Sequence, residues 1–205
     1  MLLNWINPSK LNWNYLSRNQ NAIDLLLNNP AKIDISYMSK NKKANLILNT
    51  TLLQTSKINW SALSINPNAI SLLSANRDKI DWSKLCANPN ALYLIEHNKD
   101  KIDWNMLCSN INPDILKILK KHLNKVNWTI LSKNEMAIPL LEKHLNKVNW
   151  SVLSRNKGAI HILSKNLDKI NWYELSRNNM AIDLLKQHID KINWNNLSIN
   201  KSAII

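Results

Sequence analysis

The stretch Lys169-Ile170-Asn171-Trp172-Tyr173-Glu174-Leu175-Ser176-Arg177-Asn178-Asn179-Met180-Ala181-Ile182-Asp183-Leu184-Leu185 recurs, with substitutions, along almost the whole chain. With Trp172 as position 0, the same slot holds Trp60, Trp82, Trp104, Trp128, Trp150 and Trp194. The step between them is constant except from Trp104 to Trp128, which is longer by two. Upstream, Trp13 and Ile35 fill the slot one regular step apart, and the step from Ile35 to Trp60 is longer by three. A fixed period of this size signals a repeat architecture, in which each unit buries its apolar face only against its neighbours.

The other constant slots say how one unit folds. Position −1 is Asn or Asp in all nine units, from Asn12 to Asn193, and these are preferred N-cap residues. Position +3 is Leu except at Met38, and +4 is always Ser or Cys. Position +6 is Asn in all nine units, from Asn19 to Asn200. A first helix is therefore predicted from about −1 to +5, burying positions 0, +3 and +4. The dipeptides Asn66-Pro67 and Asn88-Pro89 read as the N-cap and first position of a second helix. There Ala at +9, with Ile or Leu around +10, +12 and +13, lines up on one helical stripe.

That helix is expected to stop near +16, where Asn76, Asn98, Asn166, His122, His144 and His188 stand. Asn and His tolerate the left-handed conformation better than most residues, which suits a chain with one glycine. Position −2 is always Ile, Val or Leu, so the return segment is also pinned into the core. The predicted fold is all-α: an α-solenoid of about nine 22-residue, two-helix repeats forming a single domain over residues 1–205. Position 0 falls at 13, 35, 60, 82, 104, 128, 150, 172 and 194; residues 1–9 read as a partial N-terminal cap, and the last repeat is incomplete. A leucine-rich repeat shares the period. It demands apolar residues at +1 and +8, where this chain is mostly polar.

Composition narrows the class. Hydrophobic residues make up 45% and charged residues 20%, ordinary values for a folded soluble protein. The net charge of +13 points toward nucleic acid or acidic surfaces. Asn, Lys and Ile all have AT-rich codons, however, and a biased genome would raise them whatever the fold. The N-terminus lacks a basic segment followed by a long apolar run, so it does not read as a secretory signal. No stretch approaches the roughly eighteen apolar residues of a membrane span. Cys86 and Cys108 share one slot in adjacent repeats and are expected as buried, unpaired substitutes for Ser in a reducing compartment. The expected setting is intracellular, with host cytoplasm, nucleus and virion undistinguished.

No catalytic constellation emerges, and an enzyme is not expected. One glycine cannot build a phosphate-cradling loop. The recurring histidines sit one repeat apart, too far to share a metal. Neither metal nor cofactor is expected. The tryptophans, grouped with +3 and +4, read as core rather than as a base-stacking ladder.

Lysine fills −3 in every unit: Lys10, Lys32 and Lys57, then Lys79, Lys101, Lys125, Lys147, Lys169 and Lys191. A cation there suits a helix C-terminus, and it also forms a basic ladder able to meet phosphates. A patchier basic stripe occupies +5 at Arg18, Lys40, Lys133, Arg155 and Arg177. Positions +1, +2 and +11 vary as well and include Tyr15, Tyr37, Tyr93 and Tyr173. Variable slots on a constant frame are where repeat scaffolds encode recognition.

The consensus K-I-[ND]-W-x-x-L-S-x-N-x-x-A-I-x-L-L resembles the short Trp/Leu/Asn repeats of proteins encoded by large amoeba-infecting DNA viruses, over about residues 10–205. The resemblance implies an intracellular viral protein and carries no activity or site residue with it. The leading expectation is a non-enzymatic scaffold that binds a protein partner through +1, +2, +5 and +11. The alternative is sequence-tolerant nucleic-acid binding through the lysine ladder. Self-association through the unfinished C-terminal edge is a third expectation, and no membrane partner is expected.

Overall fold

The computed structural model describes residues 3–48 and 57–203. Among these, every regular element is a helix, and the fold is an all-α repeat solenoid. The chain divides into two compact units, Met1–Asp103 and Trp104–Ile205. Both are made from the same repeat. The extra residues that precede repeat 3 lie outside the described residues.

Repeat 3 shows the plan. A first helix, Trp60–Ser64, is followed by a 3-10 turn at Pro67–Ala69, a second helix at Ile70–Ala75 and another 3-10 turn at Arg77–Lys79. The −1 side chain caps the first helix: Asn59 Oδ1 accepts from the Ala62 amide at 2.9 Å, and Asp34, Asn149 and Asn193 do the same in their repeats. The +6 asparagine caps the 3-10 turn, as when Asn66 accepts from the Asn68 amide. The second α-helix thus starts at +10, one 3-10 turn later than the sequence suggests. Helices of four to seven residues are unstable alone in water, so the stack must hold them.

Two polar ladders do much of that. The +4 hydroxyl donates to the position-0 carbonyl of its own helix and accepts the −1 amide of the next repeat. Ser154 Oγ donates to Trp150 O at 2.8 Å and accepts from Asn171 N at 3.0 Å. The +6 side-chain amide reaches back one repeat. Asn88 Nδ2 donates to Ser64 O and Asn66 O, both at 2.9 Å, and Asn178 Nδ2 donates to Ser154 O and Asn156 O. Both slots are buried in most repeats, so their polar groups need these partners. Between the ladders lie the +3 leucines and the +9 alanines, with Leu63, Leu85, Leu131, Leu153 and Leu175 fully enclosed.

Two local expectations need correction. Position +16 is not left-handed: no residue among those described has positive φ, glycine included. Asn76, Asn166 and His188 instead sit at φ −133 to −138° and ψ 54 to 55°, an extended kink that opens the 3-10 turn. The asparagines hold it by donating back to the helix, as Asn76 Nδ2 does to Leu72 O. Histidine holds the slot differently, packing its ring on the Trp of its own repeat, as in His188 with Trp172 at 5.1 Å. The tryptophans themselves are half-buried rather than enclosed. One face covers the stack and the other looks outward; Trp194 is 61% exposed. At the N-terminus, Pro8–Lys10 repeats the 3-10 turn and Trp5 lies 77% exposed, so Trp5 itself seals nothing.

The longer repeat 5 places its two extra residues in the turn between its helices. Ile115 takes the buried +9 slot and opens the helix Ile115–Lys121, while Ile111 is pushed outward.

Candidate binding face

Sorting the repeat by what each slot touches leaves a small free surface. The −3 lysines are exposed, but several are already engaged. Lys32 lies over Trp13, Lys101 over Trp82, Lys147 over Trp128 and Lys169 over Trp150, with ammonium-to-ring distances of 4.6 to 5.5 Å. This is cation–π geometry. Lys79 and Lys191 instead pair with the preceding Asp78 and Asp190 at 3.1 and 3.4 Å. For Lys125 no engagement of either kind is seen among the described residues. The constancy of −3 Lys thus has a structural account in the tryptophan beneath it.

Position +1, expected as a recognition slot, is mostly consumed by the stack. Its side chain hydrogen-bonds the −1 side chain of the next repeat: Ser61 donates to Asp81, Ser83 to Asp103, and Asn171 donates to Ser151. Eight of the nine +1 residues are Ser, Thr or Asn, a regularity that signals this role. Tyr173 is the exception and is exposed. Tyr93 at +11 lies on the second helix against His97, with ring centroids 4.2 Å apart. Neither tyrosine joins the +5 stripe.

The remaining variable slots converge. Positions +2, +5, +7 and +8 lie side by side over the first helices and the turns that follow them. In the first unit Tyr15 and Tyr37 meet edge to face at 6.1 Å, and Lys40 Nζ lies 5.8 Å from the Tyr37 ring. Arg18 ends the helix that carries Tyr15. Next comes a cleft of about 530 Å³ where Lys40, Lys42 and Lys84 surround Ala62, Ile65 and Pro67.

The second unit has the same construction. A cleft of about 590 Å³ is floored by Ile111, Ile130 and Met136, with Lys133 and Glu135 on its rim. Lys133 and Glu135 also border a second cleft of about 400 Å³ that carries Val152, Arg155, Lys157 and Glu174. The two adjoin at Lys133 and Glu135 and together span a groove region across repeats 5 to 8. Arg177 is the next residue of the +5 column. Positions +7 and +8 do not stand out in the sequence, although their changes between Lys, Pro, Ile, Glu, Met and Gly mark them as free to vary.

One polar group in this groove stands apart. The Glu174 side chain is 22% exposed, and its Oε2 is buried with no hydrogen bond. Arg155 Nε lies 3.4 Å from that oxygen, so the pair is held by charge and lacks hydrogen-bond geometry. Elsewhere, Cys86 and Cys108 are buried and unbridged. Burial pushes both thiols up, against the opposing pull of the Asp103 and Asn127 amides on the sulfurs. Among the described residues no group of His, Cys, Asp or Glu could hold a metal ion, and no helix is long and apolar enough to cross a membrane. No family model, curated protein or solved structure matches the chain.

Proposed function

We propose that this chain is a non-enzymatic binding scaffold whose interaction face is the +2/+5/+7/+8 strip, and that its partner is a protein. The observation that carries the reading is the division of labour within the repeat. Positions −1, 0, +1, +3, +4 and +6 are occupied with stacking, whereas the strip varies between repeats and holds apolar clefts. Mixed apolar and polar clefts of this kind suit protein side chains. The setting we infer, an infected cell, rests only on the resemblance of the repeat.

Nucleic-acid binding through the −3 lysines is the competing reading. It is weakened by the tryptophans and aspartates that already engage many of those lysines. The test pairs the two surfaces. Peptides selected from a displayed random library should lose binding in a Met136→Ser, Val152→Ser variant and keep it in a Lys125→Ser, Lys147→Ser variant. Sub-micromolar binding of single- or double-stranded DNA or RNA at physiological salt, abolished by the lysine variant, with no peptide retained, would replace this reading with the other.

A further inference from the structure

We infer that the groove of the second unit takes an acidic peptide segment with interspersed apolar side chains, running along the groove across repeats 5 to 8. This rests on the protein-binding reading above and specifies the partner's chemistry.

Charge is the first ground. Lys133, Arg155 and Lys157 border the groove with Glu135 and Glu174, and Arg177 extends the +5 column. Of the two acids, Glu174 is tied to Arg155 and mostly withdrawn from water. A guanidinium carries five N–H donors in a planar fork. Arg155 approaches Glu174 through Nε, and its side chain remains 58% exposed, so the fork can also meet a second carboxylate. Glu174 already sits where a partner carboxylate would be attracted, and it lowers the potential that an incoming acid meets.

The apolar floor is the second ground. Ile111 and Met136 are exposed hydrophobics beside Ile130 in the wider cleft. They call for apolar side chains between the acidic ones. A polyphosphate backbone would satisfy the cations and leave this floor uncovered. The first unit repeats the arrangement independently: Lys40, Lys42 and Lys84 surround Ile65 and Pro67 with no carboxylate in the lining. The same slots of the repeat therefore build a basic, apolar-floored cleft twice.

The experiment uses the full chain and a displayed library of random twelve-residue peptides, followed by fluorescence anisotropy on the enriched sequences. Enrichment of Asp and Glu interspersed with Leu, Ile or Met is expected. Affinity should fall about fivefold or more in Arg155→Glu and in Lys133→Glu, since each reverses a largely exposed charge. It should rise about two- to fivefold in Glu174→Gln, which keeps the shape and removes the like charge. Two charge-reversed peptides, with Lys for each Asp or Glu, should not bind.

Enriched peptides that are neutral or basic, yet sensitive to Met136→Ser, would overturn the acidic partner and leave the protein-binding face standing. Acidic peptides whose affinity ignores Arg155→Glu and Lys133→Glu would overturn the groove as their site. A library that yields nothing, beside a mixed-sequence oligonucleotide bound through the −3 lysines, would overturn both readings. Circular dichroism of each variant separates lost binding from lost fold.

Discussion

At the scale of single residues, the buried +6 asparagine does more than cap. Asn88 accepts the Asn90 amide and donates to two carbonyls of the preceding repeat. Asn88→Ala removes these bonds and leaves Ser64 O without its donor, while Asn66 O keeps only the Ala69 amide. A buried unpaired group costs about 1–3 kcal/mol, so a loss of about 3 kcal/mol is expected, read as a lower urea midpoint. A change no larger than at an exposed capping residue would mean that water takes over the ladder. The sequence exposes only half of this role. Capping acts within a few residues and is legible, whereas the acceptors for the amide lie 22 and 24 residues upstream. The thiols give a second residue-scale prediction. Both replace Ser in the +4 slot, and Cys86 keeps the bond from the next −1 amide, Asp103 N to Sγ at 3.3 Å. Because their ionisation is pushed above that of an unfolded thiol, the native state holds its protons longer than the unfolded one. This contribution is intact below the unfolded thiol value, about 8.5, and is lost as pH climbs from there through the native values. Urea midpoints measured from pH 7 to 10 should therefore decline more steeply for the natural chain than for a Cys86→Ser, Cys108→Ser variant. Parallel curves would count against it.

At the scale of elements, the full repeat plan is a first helix, a 3-10 turn, a second helix and a further 3-10 turn, with the first turn irregular in some repeats. The hydrophobic period and the Asn-Pro dipeptides make the two helices legible. The 3-10 turns are not, because their cap and their closing residue are the same Asn and Lys that any helix end would use. The kink at +16 escapes the sequence for a related reason: the residue types that tolerate positive φ also hydrogen-bond backward onto the preceding turn, and here the second property wins. The face is partly legible. Variation draws attention to +2 and +5, while +7 and +8 look like mere turn. Gly158 at +8 tests how well the element is understood. Its φ is not positive, so nothing in the backbone demands glycine. In repeats 3 and 4 this slot bears Asn68 and Asn90, whose side-chain amides donate to Lys42 O and Pro67 O one repeat back. A Cβ built on Gly158 would meet Ile138 Cγ1 at 3.2 Å, with Glu135 O, the counterpart acceptor, at 3.7 Å. Gly158→Asn should gain that bond and lose unfolded-state freedom, against a shift of a few tenths of an ångström by Ile138. A net stabilisation of about 0.5–1.5 kcal/mol is expected, visible as a higher Tm. Destabilisation would show that Ile138 cannot give way.

At the scale of the whole molecule, the same bonds that join neighbours also limit how far a disturbance can travel. Within each unit, neighbouring repeats are tied by the +4 side chain and the +6 amide, and at several junctions also by a +1 to −1 side-chain bond; all three link adjacent repeats only. In an array built this way stability is a sum of repeat terms and nearest-neighbour terms, and opening free energies differ along the chain. Asn178→Ala cuts the link from repeat 8 back to Ser154 O and Asn156 O. Native-state hydrogen exchange should then lose protection first at Asn171 and Asn193, whose amides are held by Ser154 and Ser176 across the flanking junctions. The amides of Asp34 and Asp81, held in the same way by Ser17 and Ser64, should keep theirs. A uniform loss at all four would mean that the chain opens as one cooperative block, and the groove would then be only as stable as the molecule. A graded loss would mean that each cleft keeps its shape through its own junctions. Each repeat could then change the side chains at its +2, +5, +7 and +8 slots without loosening the rest.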